Sequence, residues 1–326
     1  EYMRRFGAFL VNSDTYNGHM EEVPAAELAG AETDAASGTA RKGGKTIGIL
    51  ASGKPRVGFK TPSKRLELYS QTMADWGWPE YVLPEYIKSH VHRERFDPAK
   101  GQYALVPTFR LPTLIHTRSG NSKWLYELSN SNPVWIHPED AKRIGVELGD
   151  LIRITTDIGY FVNKTWVTEG MRPGVVACSH HLGRWRLFED VGTDRWASAL
   201  VSKEEVAPGK IRFRRLSDIR PFASSDPDSR RVWWTDGGVH QNLTFPVHPD
   251  PISGMHCWHQ AVRVERAYEG DRYGDVEVDT NRSMEVYREW LKMTRPAGPH
   301  SPGGLRRPLW LARAVRPTDD AFRFTS

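Results

Sequence analysis

Residues 116–121 read His-Thr-Arg-Ser-Gly-Asn, six consecutive positions with no strand pattern. Arg118 carries five donors in a planar fork, suited to phosphate or a flat heterocycle. Gly120 lets backbone approach a ligand closely, and Thr117, Ser119 and Asn121 add short donors and acceptors. Such a row fits a large, polar, phosphate-bearing molecule, whose heteroatoms each need a partner once buried. A turn with Ser119 or Asn121 as a helix N-cap accounts for the same residues, and the row alone does not choose. His180 and His181 close an apolar run. As neighbours on a strand they would point to opposite faces, so one reaches a site and the two do not share a metal. His256 and His259 flank Cys257 in HCWH, in a stretch whose Gly254 and polar neighbours suggest a loop. A zinc site needs about four ligands in fixed geometry, and no second cluster has ligand spacing. GxSxG, GxxxxGK[ST], HExxH and GxGxxG are absent, so local motifs name no catalytic residue and no metal ligand.

The elements that must hold these residues are short. YALVPTF, from Tyr103, is an apolar strand candidate. Pro138 suits the first turn of a helix, Glu139 and Asp140 complement its positive start, and Gly145 is its left-handed stop. DLIRITTDIGYFVNKTWVTEG reads as two strands around a turn at Asp157–Gly159, RPG as another turn, and VVACSHH and AVRVERA as further strands. Upstream, residues 1–32 hold a short helix and residues 33–46, TDAASGTARKGGKT, read as a mobile surface loop. IGIL and RVGF are strands around a turn. TPSKRLELYS alternates Leu66 and Leu68 with charge, as a half-buried strand would. Residues 202–230 read as a charged excursion. MEVYREWLKM is a helix with Met284, Tyr287 and Leu291 at helical spacing, and the tail after it is too rich in proline and glycine for regular structure. Frequent turns and short strands favour a closed β barrel over a doubly wound sheet.

The chain has 326 residues, 39% hydrophobic and 26% charged, with a net charge of +5. That is a globular composition with room for a sizeable core. The basic residues are dispersed, without the dense stripe of a duplex-binding protein, so no nucleic-acid partner is expected. The two cysteines, Cys178 and Cys257, exclude a disulfide framework and are expected as reduced thiols. The chain starts at Glu1 with no apolar leader, which we read as an internal or truncated piece.

In order, TFRLPTLIHTRSGN, NPVWIHPEDAKRIGVELGD, TDIGYFVNKTWVTEGMRPGVVACSHHLGRW and HQNLTFPVHPDPISG resemble the C-terminal region of molybdopterin oxidoreductases, the dimethyl-sulfoxide-reductase family. GFKTPSKRLELYS resembles the segment just upstream. Within the family the chain is most similar in look to large subunits acting on sulfur or arsenic oxyanions. The resemblance implies a mainly β chain with short helices, in which residues 103–268 form a double-psi β-barrel cofactor domain. Residues 1–102 would then end the upstream catalytic domains, and residues 269–326 form a C-terminal helix and extended tail. The implied cofactor is bis-molybdopterin guanine dinucleotide with molybdenum or tungsten. Arg110, His116, Thr117, Arg118, Ser119, Gly120 and Asn121 would form its first binding segment. His181, Gly183, Arg184 and Trp185 would form the second, with His180 beside the pterin or substrate funnel. Gln241, Asn242, Leu243 and Thr244 would form the third, and Asp250 follows in DPISG. The family often has a lysine near the end of that element; CWHQ stands here, which puts a contact from Trp258 or His259 in doubt. Iron–sulfur cysteines and the metal's protein ligand would lie in a missing N-terminal part. Implied partners are an iron–sulfur electron-transfer subunit, with a membrane-anchor subunit as a further candidate. The implied setting is prokaryotic, cytoplasmic or periplasmic. The reading from another class is a stand-alone, non-catalytic barrel for an anionic ligand or a protein.

Overall fold

A computed structural model describes residues 2–7, 17–84, 87–108, 131–181, 183, 185–187, 199–217, 238–249, 255–292, 294–296, 298–301, 306–308 and 312–313. The chain divides into two compact units, Glu1–Glu85 with Gly298–Ser301, and Tyr86–Ala297 with Pro302–Ser326.

The first unit carries an antiparallel meander of β1 (Glu32–Asp34), β2 (Thr39–Lys42), β3 (Lys45–Ala51) and β4 (Lys54–Arg56). The stretch 33–46, expected as a loop, therefore supplies two strands and the start of a third. Its small, polar residues are those of exposed hairpins, with only Ala40 turned inward. TPSKRLELYS is corrected too. It forms no strand, and Leu66 and Leu68 are 77% and 70% exposed. Alternation alone does not make a strand when no neighbour offers backbone hydrogen bonds.

The second unit contains the barrel. Its strands are β6 (Gln102–Val106), β7 (Val134–Ile136), β8 (Leu151–Thr155), β9 (Gly159–Val167), β10 (Val175–Ala177) and β14 (Gln260–Arg266). They pair around a closed ring in the order β9, β7, β10, β6, β14, β8 and back to β9. Two pairings, β7 with β9 and β6 with β10, are parallel, and the rest are antiparallel. This closed six-stranded barrel with short helices matches the double-psi type, and the expected fold class is borne out. The strands read alternately because one face is interior. Tyr103 and Leu105, Ile152 and Ile154, and Val262 and Val264 point inward and are buried. The helix Pro138–Ile144 starts with Pro138 and ends at Gly145, whose φ of 76° and ψ of 41° form the left-handed cap.

The sheet runs on past β9 through β15 (Val276–Asp279), β13 (Lys210–Ser217), β12 (Ala199–Ala207) and β11 (Trp185–Leu187). The supposed excursion at 202–230 thus begins as a hairpin. Its charges are cross-strand partners: Arg212 meets Glu277 at 2.7 Å and Arg214 meets Asp275 at 3.0 Å. The C-terminal helix, Thr280–Lys292, buries Val286 and Trp290. Of the three residues noted for their helical spacing, Met284 is exposed and Tyr287 and Leu291 are partly buried. Trp290 Nε1 donates to Pro249 O at 3.0 Å, His248 stacks on the Trp290 ring at 4.4 Å, and His90 sits edge-on to both. Short strand pairs also form in the tail, Thr294–Pro296 with Arg306–Pro308 and Ile87–Lys88 with Ala312–Arg313, where no regular structure was expected.

On the outer face, Arg153 donates from Nε and Nη2 to the two oxygens of Asp271 at 2.9 and 2.5 Å. Its guanidinium lies 3.6 Å from the Tyr160 ring centroid and 4.4 Å from that of Tyr268. A lysine keeps the charge but loses the fork and the stacking. Arg153→Lys is expected to cost about 1–2 kcal/mol, and a urea midpoint equal to wild type would contradict it.

Candidate functional site

Strand β10 ends at Ala177, and over the next four residues only the N–H groups of Cys178 and His180 still find backbone partners on the β6 side, Val106 O and Pro107 O. Side chains serve the carbonyls instead. Gln241 Nε2 donates to Cys178 O at 2.7 Å, Asn132 Nδ2 to Ser179 O at 2.5 Å, and Asn242 Nδ2 to His180 O at 3.4 Å. The Ser179 N–H donates back to Asn132 Oδ1 at 3.1 Å, and the His180 N–H donates to Pro107 O at 3.0 Å. Asn163, from the middle of β9, donates to Asn132 O at 2.9 Å and to Cys178 Sγ at 3.4 Å. A buried loop with few ladder partners needs such substitutes. They give it a fixed shape.

Because the strand has ended, His180 and His181 do not alternate. Their rings lie together, centroids 4.0 Å apart, which corrects the expectation of opposite faces. His181 is buried, with Nδ1 2.8 Å from Ser179 Oγ. His180 Nδ1 donates to Pro107 O at 2.7 Å, and its ring stacks on Trp258 at 4.6 Å. Gly183 follows with φ +109°. A Cβ there would meet Val239 O at 2.3 Å, so only glycine lets this loop close onto residues 239–242. Gln241–Thr244 is a 3-10 turn, with Gln241 and Thr244 fully buried and Leu243 packed against the barrel core. A small recess lies beside it, lined by Gly183, Val239, His240, Leu243 and Arg215 among others.

The structure thus brings together His180, His181, Gly183, Gln241, Asn242, Leu243 and Thr244. Trp185 opens β11. Arg110, His116, Thr117, Arg118, Ser119, Gly120, Asn121, Arg184 and Asp250 lie outside the described residues. Asn132, Asn163 and Ser179 were missed. The signal for Asn163 was a lone amide inside the otherwise apolar run YFV-N-KTWV; the other two needed the tertiary structure. Cys178 is no nucleophile, since burial pushes its thiol up to about 12. Cys257 is likewise free of any disulfide. Among the described residues no group of three or more His, Cys, Asp or Glu is placed to hold a metal, and no helix is long and apolar enough to cross a membrane.

One feature tests the fit to a pterin nucleotide. Gln241 and Asn242 both turn their NH2 groups to loop carbonyls. Their amide oxygens, Oε1 and Oδ1, are buried with no partner among the described residues. A buried acceptor without a donor is costly. Ring N–H and amino groups, the edge that a pterin or guanine presents, would satisfy both. The residues fit the group.

Comparison with known proteins agrees. Residues 105–212 match the family model of the molydopterin dinucleotide binding domain. The chain is 36% identical over 132 residues to dimethyl sulfoxide reductase DmsA of Escherichia coli (strain K12), covering 38% of this chain and 16% of that protein. It is 25% identical over 191 residues to the arsenate respiratory reductase molybdopterin-containing subunit ArrA of Chrysiogenes arsenatis, covering 50% of this chain and 21% of that protein. The solved structure of acetylene hydratase from Pelobacter acetylenicus aligns with a TM-score of 0.40 at 14% identity, over 65% of this chain and 25% of that one. Residues 105–212 thus match the molybdopterin-binding module typical of enzymes with two pterin guanine dinucleotides. The chain is homologous to the dimethyl sulfoxide reductase superfamily of molybdopterin oxidoreductases, an enzymatic lineage. It spans 16 to 21% of the length of these two curated relatives, which between them belong to more than one branch.

Proposed function

We propose that this chain is the C-terminal cofactor-binding part of a bis-molybdopterin guanine dinucleotide oxidoreductase with molybdenum or tungsten, acting on a sulfur or arsenic oxyanion. The buried, unpartnered amide oxygens of Gln241 and Asn242 beside the stitched 178–181 loop carry the reading. When bound, the cofactor supplies two-electron chemistry with transfer of an oxygen or sulfur atom. The chain's own residues bind and orient. Arg118 and Arg184 neutralise phosphates, His181 and Asn242 fix the pterin, and the row Arg110 and His116–Asn121 with Trp185 and Asp250 completes the cradle. In this reading residues 103–268 are the cofactor domain, residues 1–102 end the catalytic domains, and residues 269–326 are a docked helix and tail. An iron–sulfur electron-transfer subunit is the proposed partner, with a membrane-anchor subunit beside it, in a prokaryotic cytoplasm or periplasm. The iron–sulfur cluster belongs to the N-terminal part of such an enzyme.

The test is the full-length protein purified from its source, oxidised to release pterin and guanine nucleotide. Both should appear in stoichiometric amounts; their absence overturns the proposal. Asn242→Leu removes the acceptor, together with the donor to His180 O, at nearly constant volume and should lower pterin retention about tenfold. Arg118→Ala should lower it as well, by leaving a phosphate without its cation. Normal pterin content in either variant removes that residue from the cradle.

A further inference from the structure

We propose that Trp258 is a positioning residue, whose stacked ring holds the His180 imidazole at the edge of the cradle in one orientation and one tautomer. The His180 ring stacks on Trp258 at 4.6 Å with an interplanar angle of 26°, and His181 lies tilted against it at 4.0 Å with 32°. In its own plane, Nδ1 meets Pro107 O at 2.7 Å, the same carbonyl that accepts the His180 backbone N–H. A carbonyl only accepts, so Nδ1 carries the proton. Turning the ring over would put a C–H against that carbonyl and would sweep the ring edge through both neighbouring rings. The stacked face and one nitrogen are held, and the direction of Nε2 follows.

Trp258 is itself gripped. Phe245 and His256 approach it edge-on at 6.5 and 4.9 Å, and Gln260 Nε2 donates to the carbonyls of Cys257 at 2.9 Å and Trp258 at 3.3 Å. It packs against the barrel core from outside and is only half-buried, so its ring is not what fills the barrel. The residue after it, His259, places Nε2 3.3 Å from Thr108 Oγ1. The same short segment therefore touches both the His180 loop and the chain leading into the polar row at 116.

The link to a pterin rests on the cofactor reading above; the positioning itself is a property of the chain without it. The experiment compares wild type, Trp258→Phe and Trp258→Leu. Leucine fills space but does not stack, whereas phenylalanine stacks. In the full chain labelled with 15N-histidine, with His180→Gln used for assignment, wild type and W258F should show the Nδ1–H tautomer at residue 180. W258L should show averaged nitrogen shifts there, with the histidines that touch neither Trp258 nor His180 unchanged. In the full-length protein, pterin per polypeptide should fall about three- to tenfold in W258L and recover in W258F. A W258L protein with wild-type nitrogen shifts at His180 overturns the proposal. So does a W258F protein that behaves like W258L, since stacking would then not be the cause. Should the tautomer respond as expected while no variant, wild type included, holds pterin, the positioning stands and the cofactor reading falls.

Discussion

Replacing Asn132 by alanine should destabilise the barrel unit by about 2–5 kcal/mol. Asn132 is 1% exposed, and both ends of its amide bond to the backbone of one residue: Nδ2 to Ser179 O, and Oδ1 to the Ser179 N–H. Alanine leaves a buried carbonyl and a buried N–H unpaired at once, each costing about 1–3 kcal/mol. Water cannot easily replace them, because Asn163, Cys178 and Ser179 around the gap are all buried. The measurement is urea unfolding of the full chain followed by far-ultraviolet circular dichroism. A midpoint within error of wild type would mean that the loop finds other partners and is not stitched as described.

Acid should weaken the attachment of the C-terminal helix. His248 is held down to about 4, first by burial and then by the charges of His90 and His256. Burial likewise lowers His90, His256 and His259. A histidine depressed in the folded state favours its neutral form there. Its contribution is therefore fully present above the unfolded value near pH 6.5 and is lost as pH falls toward the folded value. For His248 this amounts to up to about 3 kcal/mol between pH 6.5 and pH 4. Proton uptake would set a charge against the Trp290 ring in a desolvated site and beside two further histidines. His248→Phe preserves a flat ring on Trp290 without a titrating nitrogen. Its stability should fall less steeply between pH 6.5 and pH 4 than that of wild type, while carboxylate effects common to both cancel in the comparison. Equal slopes for the two proteins would remove His248 as a source of acid lability.

What the sequence revealed was what is local. The turn at Asp157–Gly159 and the helix from Pro138 to Gly145 rest on residues within a few positions of one another, and they stand where expected. The hairpin of β12 and β13 and the strand β15 were not seen. Their outward positions carry Lys, Glu and Arg, and these read as a solvated run until Arg212 is found against Glu277 and Arg214 against Asp275. Leu66 and Leu68 had a strand's alternation without a strand's neighbours. At the candidate site, the resemblance grouped His181 with Gln241–Thr244, and the 178–181 loop does lie against the Gln241–Thr244 turn. The stitching by Asn132 and Asn163 was illegible because it links positions 31 and 47 residues apart. The stack of Trp258 on His180 spans a similar gulf. A polar residue in a sequence advertises its donors but not the distant peptide that uses them.

The ring order has a temporal side. Strand β14 fits between β6 and β8, yet Gln260 is synthesised long after its partner Leu105. At roughly 5–20 residues per second on the ribosome, β6 waits on the order of 10–30 s for that neighbour. During the wait it has only its parallel partner β10, and its other edge is open to any passing strand. The Gln241–Thr244 turn also emerges late, so the 178–181 loop lacks two of its three amide clasps until the barrel is nearly ready to shut. A nascent chain therefore exposes an unfinished sheet edge and an unfinished cradle over the same interval. A holding chaperone that covers that edge until residue 266 has been made would guard both at once.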